Sequence, residues 1–386
     1  MIVSYESMRR TCSSRCSGFA PGLAFLAALA LGCADYGADP SLILGLTQGG
    51  ASNGPVVQSG LATVSSTLVQ VSLASAVDTS KAFVVCTESL ASSAPTNFST
   101  CKLSGSSTVD IESNAANNQI VSYFVVQSSG VNSVQRGSAT LSAATSILNV
   151  PITNVDTTRS IAIVTSRLNS TTTSIDEQRT IAGRLTSGTN LRLGRTESGT
   201  AVDVEWQVVE WSSVASVQSN FSAVGGSTAN IAITALNTAQ SFLMFSVAGD
   251  TSSNGIDNQI YVRGSISASN TITFSRQSTL NTVNIAWYVV ELSDGTTVQR
   301  GSASANAAYT NTPPLTAALT TVDTARSIAF GSADILDTGN ATSTSDQDSA
   351  NFHFDFQDAS TIRMTRQSVE APRPANLEWE VVQFAN

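Results

Sequence analysis

Histidine and charged residues are scarce in this chain. His353 is the single histidine, and Asp, Glu, Lys and Arg together make up 12% of 386 residues. A catalytic serine or cysteine that depends on histidine would have to use His353, which lies in the strand-like stretch NFHFDF without a nucleophile-elbow motif G-x-S-x-G. A typical zinc site needs several His or Cys ligands. We therefore interpret His353 as structural and expect no enzyme activity.

Basic character and helical patterns are also lacking. The chain has 19 Lys and Arg against 28 Asp and Glu, a net charge of −9, so it lacks the basic footprint that nucleic acids and anionic membrane surfaces attract. Few stretches combine Leu, Glu, Lys and Arg at helical spacing. Thr and Val, which favour strands, and Ser, Asn and Gly, which favour turns, take their place. We expect an all-β extracellular protein that does not bind nucleic acid.

The N-terminal segment, residues 1–33, has the features of an export signal. Arg9, Arg10 and Arg15 form a basic region, and an apolar run follows from Phe19 to Leu31. This run is short and rich in alanine, which is typical of a secretory signal rather than a membrane-spanning helix. It ends in ALGC, with Gly32 directly before Cys33.

The ALGC stretch resembles the lipobox of bacterial lipoproteins, and that resemblance implies that Cys33 is lipidated and becomes the mature N-terminus. Ordinary signal cleavage nearby is the alternative. Ala34, rather than Asp, follows the cysteine, and the resemblance then implies an outer-membrane or cell-surface location, anchored to the membrane by its lipid. Residues 34–54 are rich in Gly, Ser and Asn and are interpreted as a flexible tether.

The five cysteines divide by position. Cys12 and Cys16 lie in the signal, and Cys33 is the lipid acceptor. Cys86 and Cys101 remain as an even pair in an exported chain, which predicts a disulfide.

Three sequence anchors recur in the same order about 80 residues apart. The first is Val-Gln at 57–58, 134–135, 217–218 and 298–299; the second is [VL]-[DN]-T-x-[KRQ]-[SA] at 77–82, 155–160, 236–241 and 322–327; the third is aromatic-x-V-V-[EQ], headed by Tyr123, Trp206, Trp287 and Trp379. If a unit begins at Val-Gln and ends at the third anchor, the chain contains four whole units. We expect tandem repeats at 55–128, 131–212, 214–293 and 295–386.

Each repeat contains six short apolar segments separated by turn residues, which predicts a small antiparallel β-sandwich or barrel. In AVDVEWQVV, Val202, Val204, Trp206 and Val208 share one face, so we expect the recurring aromatic residue to lie in the core. Trp211 follows this pattern at a junction and is expected to pack between repeats. Short linkers predict that the repeats form a rod or a compact stack.

The segment after the third strand differs most among the repeats, and it is rich in Ser, Thr, Asn and Asp. Oxygen ligands of the kind that Ca²⁺ prefers occur there, although without EF-hand spacing. Ordinary solvated loops explain the same composition. The candidate ligand or calcium-loop residues are Asp176, Glu177, Asp250, Asn254, Asp257, Asp334, Asp337, Asp346 and Asp348. We expect no cofactor, with calcium as the alternative.

Charged residues also recur on neighbouring strands. Arg195, Arg276 and Arg366 stand before the aromatic strand, and Glu210 and Glu291 stand on it. We expect a cross-strand ion pair between them.

The strand order and the final W-x-V strand of each repeat resemble H-type lectin and phage tail-fibre modules. The resemblance implies six-stranded antiparallel sandwiches that form homo-oligomers and bind glycans or surfaces; it identifies no sugar-binding residue. We therefore expect a non-catalytic surface lipoprotein that binds a glycan or surface protein through its loops. The alternative is a structural spacer or a self-assembling component of the envelope or an appendage.

Overall fold

The computed structural model describes residues 54–92, 94, 97–170, 176–249, 260–277, 279, 281–306, 314–336, 347–367 and 373–385. Within these ranges the protein is all-β, as predicted, with 24 strands, three short 3₁₀ turns and one four-residue helix, α1 (Gln347–Ala350). Residues Ala51–Asn386 form one compact unit.

The strands fall into four groups of six. Repeat 1 contains β1 (Val56–Thr63), β2 (Leu68–Ser72), β3 (Ala82–Ser89), β4 (Ser99–Leu103), β5 (Thr108–Ser113) and β6 (Ile120–Gln127). Repeat 2 contains β7 (Val131–Leu141), β8 (Ile147–Pro151), β9 (Ser160–Leu168), β10 (Ala182–Ser187), β11 (Asn190–Gly194) and β12 (Val202–Trp211). Repeat 3 contains β13 (Val214–Val224), β14 (Thr228–Ala232), β15 (Ser241–Ala248), β16 (Arg263–Ala268), β17 (Thr271–Ser275) and β18 (Val283–Leu292). Repeat 4 contains β19 (Thr297–Ala305), β20 (Leu315–Ala318), β21 (Ser327–Ile335), β22 (His353–Asp358), β23 (Thr361–Thr365) and β24 (Ala375–Gln383).

All four repeats have the same topology. The first, sixth and third strands form one three-stranded antiparallel sheet in that order, and the second, fifth and fourth strands form the other. The recurring aromatic residue lies inside each repeat: Tyr123, Trp206, Trp287 and Trp379 are at most 9% exposed. Their predicted place in the core is confirmed.

The glutamine of the first anchor fixes the segment that follows the second strand. Its amide donates to a backbone carbonyl and accepts from the backbone N–H of the same residue, as a strand neighbour would. The four pairs are Gln58 with Ser75, Gln135 with Thr153, Gln218 with Thr234 and Gln299 with Thr320, at 2.7–2.9 Å. The motif recurs because each of these segments needs the same bidentate partner.

The second and third anchors are bonded to each other. The Glu or Gln that ends the third anchor accepts a hydrogen bond from the backbone N–H of the Asp or Asn in the second anchor. The pairs are Gln127 with Asp78, Glu210 with Asp156, Glu291 with Asn237 and Gln383 with Asp323, at 2.7–2.9 Å. In each repeat this bond attaches the turn before the third strand to the end of the sixth.

This bonding overturns the expected cross-strand ion pair. The Glu210 carboxylate accepts a hydrogen bond from the Asp156 N–H. Arg195 is 4% exposed and donates instead to the carbonyls of Thr145 (2.9 Å) and Thr200 (2.6 Å). Arg366 likewise donates to the carbonyls of Ser349 and Arg373. These arginines join loops within their own repeats by donating to backbone oxygens, so charge pairing was the wrong interpretation.

A size-matched contact joins the third and fourth strands of each repeat. Where one member is large, the other is small: a Cβ on Gly183 would lie 2.6 Å from Val164, and a Cβ on Gly264 would lie 2.7 Å from Phe245. In repeat 4 the order is reversed, with Gly331 against Phe354. In repeat 1 the same two places hold Cys86 and Cys101, which form the expected disulfide.

The four repeats close into a ring. The fourth strand of each repeat packs on the third and sixth strands of the next, and β22 of repeat 4 packs on β3 and β6 of repeat 1. Thus His353 Nδ1 lies 2.7 Å from Ser89 Oγ across the closing junction. A rod would leave the first and last repeats apart, so that alternative is wrong.

Trp211 packs between repeats, as predicted. It is 2% exposed, and its ring centroid lies 5.5 Å from that of Phe83, 6.4 Å from Phe242 and 6.3 Å from Phe384. These residues come from all four repeats. They form a shared aromatic cluster where the repeats meet.

Candidate functional site

The four third strands surround the centre of the ring. Along each strand, alternate residues face the sandwich core of their own repeat or the centre. The residues that face the centre midway along the strands are Val85, Thr87, Ile163, Thr165, Met244, Ser246, Phe330 and Ser332. We call the space they line the axial well.

The axial well contains two adjoining cavities of about 230 and 310 Å³. They share part of their lining, including Thr87, Thr165, Ser246 and Ser332, so they adjoin at the level of these residues. The side chains of Ile163 and Met244 are half-buried although four repeats surround them. The centre of the ring is therefore accessible space rather than packed core.

A belt of four hydroxyl groups marks the middle of the well. Each belongs to the third strand of one repeat and accepts a hydrogen bond from a backbone N–H on the fourth strand of the preceding repeat. The bonds run from Phe354 to Thr87 (3.0 Å), from Cys101 to Thr165 (3.1 Å), from Gly183 to Ser246 (3.0 Å) and from Gly264 to Ser332 (3.1 Å). The same bond thus closes all four junctions and places a hydroxyl group in the wall each time.

Below the belt the third strands contribute apolar side chains to the wall. Val85, Ile163, Met244 and Phe330 occupy equivalent places in the four repeats and line the smaller cavity. Beneath them lies the buried cluster of Trp211, Phe83, Phe242 and Phe384. The third-strand side of the lower part is therefore apolar, and the floor of the well is closed.

Repeat 4 contributes two carboxyl groups, Glu378 and Glu380, to the wall of the smaller cavity. Glu378 bonds Arg263 at 3.0 Å, and burial raises its pKa above its usual range. Burial raises the pKa of Glu380 to about 7, against the opposing effects of Arg300 at 3.4 Å and of the N–H that Leu243 donates at 3.0 Å. The described lining of this cavity includes no Lys or Arg.

The upper cavity is more polar and opens where the third strands end. Its lining includes Glu88, Arg179, Tyr261 and Asn351. The Arg179 guanidinium lies 3.2 Å from the centre of the Phe98 ring, an arrangement that favours cation–π attraction. Ser99, Ile181, Val262 and Phe352, which stand where the chain enters or approaches the fourth strands, also line it. The segments between the third and fourth strands therefore start and finish around one opening.

The predicted calcium-loop residues have different outcomes. Asp250, Asn254, Asp257, Asp337 and Asp346 lie outside the described residues, as does Cys33. Asp176 begins a 3₁₀ turn (Asp176–Arg179), and Asp348 lies in α1. Among the described residues, no group of three His, Cys, Asp or Glu side chains is placed to hold a metal ion.

The structure corrects the interpretation of Glu177 and Asp334 as solvated loop residues. Glu177 is fully buried in the 3₁₀ turn, and its carbonyl accepts a 2.7 Å bond from the Thr180 hydroxyl. Asp334 lies in β21, also fully buried, and bonds Arg263 at 3.0 Å. Asp334 belongs to a junction between repeats because its neighbours are packed strands rather than a loop.

The hydroxyl belt was missed in the sequence, although a signal is present. A Thr or Ser stands nine residues after the Asp or Asn of the second anchor in every repeat. The other residues of these strands are mostly apolar. A hydroxyl group that recurs at the same position in all four repeats therefore indicates that each one bonds the same kind of polar group. The sequence did not show that this partner lies in the neighbouring repeat.

No protein-family model matches this chain, and no curated protein sequence matches it either. Among the described residues, no helix has both the length and the apolar character needed to cross a membrane.

Proposed function

We propose that the protein is a non-catalytic, exported surface lipoprotein that binds a glycan or a surface protein through the segments between its third and fourth strands. The supporting observation is that the described ends of these segments, which vary most among the repeats in sequence, flank one opening at the centre of the ring. A rigid repeated scaffold with variable segments at one end is a common design for binding proteins.

The single histidine favours a role without catalysis. His353 is 2% exposed, its Nδ1 is bonded to Ser89, and burial lowers its pKa to about 4. Its hydrogen bond joins repeats 4 and 1. This arrangement is that of a structural histidine at a junction.

A glycan and matrix-protein array tests the proposal. The purified chain is applied with calcium and then with a chelator, alongside an Asp250→Ala/Asp257→Ala variant and an Asn230→Ala control on the exposed face of β14. We expect wild type and control to bind and the double variant to lose binding without losing stability. Binding that persists in the presence of the chelator would show that calcium is not required. Absence of binding to both arrays would overturn the proposal.

Exposed apolar side chains favour the second candidate, a self-assembling envelope component. Leu61, Leu68, Ile147 and Phe221 are 37–45% exposed and lie on β1, β2, β8 and β13, at the edges of their sheets. Edge strands of this kind pair readily with other chains. Sedimentation of the purified chain distinguishes the binding role from the structural role. Concentration-dependent assembly, together with no binding on either array, would support the structural role.

A further inference from the structure

The axial well has the size of a small-molecule site. Its two adjoining cavities, about 230 and 310 Å³, together fall within the range of roughly 300–1,000 Å³ that ligand pockets occupy. A folded partner could not enter a space of this volume. A compact organic molecule could.

The wall divides this space by polarity. Ile163, Met244 and Phe330 form an apolar lower part, which favours burial of an alkyl group. Above them, the hydroxyl groups of Ser246 and Ser332 accept backbone bonds from Gly183 and Gly264. Because an accepted bond leaves the hydroxyl proton unused, each can donate to an oxygen atom of a ligand.

The charges on the wall restrict the polar end of such a ligand. Glu378 and Glu380 line the smaller cavity, and Arg263 and Arg300 bond them from outside that lining. A carboxylate or phosphate group in the smaller cavity would approach these two carboxyl groups, and the described lining of that cavity has no cation to receive it. An uncharged hydroxyl or carbonyl group meets no such repulsion.

We propose that the axial well binds an uncharged amphipathic small molecule with a short alkyl chain and a hydroxyl or carbonyl oxygen. The alkyl chain lies against Ile163, Met244 and Phe330, and the oxygen accepts from Ser246 or Ser332. This site lies inside the ring and does not depend on the proposed adhesion through the surrounding segments.

The test uses the full chain and N-phenyl-1-naphthylamine, an uncharged probe whose fluorescence rises in apolar sites. We expect wild type to enhance its fluorescence and 1-octanol to displace it, with octanoate at least tenfold weaker. Met244→Trp, which fills the lower part of the well, should weaken probe binding at least tenfold. Leu68→Trp adds the same ring on exposed β2 and should leave binding unchanged.

Several results would overturn the proposal. One is that wild type does not enhance the fluorescence of the probe. The others are that octanoate displaces the probe as well as 1-octanol does, or that a folded Met244→Trp variant binds the probe as tightly as wild type. Thermal unfolding establishes whether each variant is folded, and Ile163→Phe, a smaller filling change, decides the matter if Met244→Trp unfolds. Glycan arrays do not enter this test, so failure of the well and failure of the proposed adhesion are distinguishable.

Discussion

The four junctions of the ring are of two alternating kinds. In all four, a backbone N–H on the fourth strand of one repeat donates to a hydroxyl group on the third strand of the next. At junctions 1–2 and 3–4 an arginine of the later repeat reaches back to the earlier one. Arg136 donates to the carbonyls of Thr79 and Ala82 (both 2.6 Å), and Arg300 donates to the carbonyls of Thr238 and Ser241. We call these the arginine junctions.

A polar side chain on the sixth strand completes each arginine junction. Gln207 accepts from the Val84 N–H and donates to the Val84 carbonyl, both at 2.9 Å. Glu380 takes the equivalent place and accepts from the Leu243 N–H at 3.0 Å. Both satisfy the backbone of a neighbouring third strand.

At junctions 2–3 and 4–1, serine replaces the arginine and an aromatic residue replaces the Gln or Glu. Tyr288 accepts from the Leu185 N–H at 3.0 Å, and the Phe124 ring packs edge-on against Phe356 at 5.9 Å. We call these the aromatic junctions. The alternation shows that repeats 1 and 2 together correspond to repeats 3 and 4, so the ring has twofold as well as fourfold internal similarity.

Removing the arginine should break the arginine junctions most severely. At pH 8, Arg300→Ala leaves the buried, ionised Glu380 without its cation and should cost about 3–5 kcal/mol of unfolding free energy. Arg136→Ala leaves only neutral groups unpaired and should cost about 1–3 kcal/mol. Chemical denaturation measures both. Equal losses, or no recovery of Arg300→Ala by added Glu380→Gln, would contradict this account.

Acid should weaken the aromatic junction 4–1. Burial lowers the pKa of His353 to about 4 from 6.5, so the folded state resists protonation. The stability that neutral His353 maintains is present above pH 6.5 and is lost as the pH falls toward 4, by up to about 3 kcal/mol. Denaturation of wild type and His353→Gln across this range measures the difference. Parallel pH profiles would show that His353 does not govern the junction.

The arginine junction 3–4 should respond to pH in the opposite direction. The pKa of Glu380 is raised to about 7 from 4.5, so its contribution is fully present below pH 4.5 and decreases as the pH rises through 7. Glu380→Gln, which copies Gln207, should remove this decrease. The reciprocal Gln207→Glu should introduce a similar decrease at junction 1–2. A Glu380→Gln variant that keeps the wild-type slope between pH 5 and 8 would refute the assignment.

The smallest effect is expected where one aromatic junction is converted into the other. Tyr288→Phe reproduces Phe124 but leaves the partly buried Leu185 N–H without its acceptor, at a cost of about 1–2 kcal/mol. Phe242→Tyr adds a hydroxyl to another aromatic residue at the centre of the ring and serves as a non-equivalent control. If Tyr288→Phe is as stable as wild type in chemical denaturation, the Tyr288 hydroxyl contributes nothing to the junction.

The repeats and their strands were predictable because their signals are local and fourfold. The Val-Gln anchor, the Asp-Thr turn and the W-x-V-V strand each bond to partners within their own repeat. Ring closure was not predictable, because it depends on contacts such as Ser89 with His353, 264 residues apart. Such a contact differs at every junction (the equivalent pair at junction 3–4 is Asp334 with Arg263) and therefore leaves no repeated pattern.

The same limit explains the errors at the candidate site. Asp334 was assigned to a loop because polar residues follow it, but its partner Arg263 lies in another repeat. Arg195 follows β11 and Glu210 lies on β12, two consecutive strands that belong to different sheets, and each has a backbone partner that charge alone does not indicate. The disulfide was predictable because an even pair of cysteines in an exported chain left few alternatives.

Ring closure has a consequence for the order of the chain. β1 lies against the turn Thr324–Arg326 of repeat 4 in the way that β19 lies against Thr238–Gln240 of repeat 3. The packing between repeats 4 and 1, which no covalent link joins, is therefore equivalent to the packing between repeats 3 and 4, which are linked by the chain. A circular permutant that begins at Val214 and joins Ala385 to Val56 through a short linker, so that Phe384 is kept, should fold to the same ring, because packing distinguishes no first repeat.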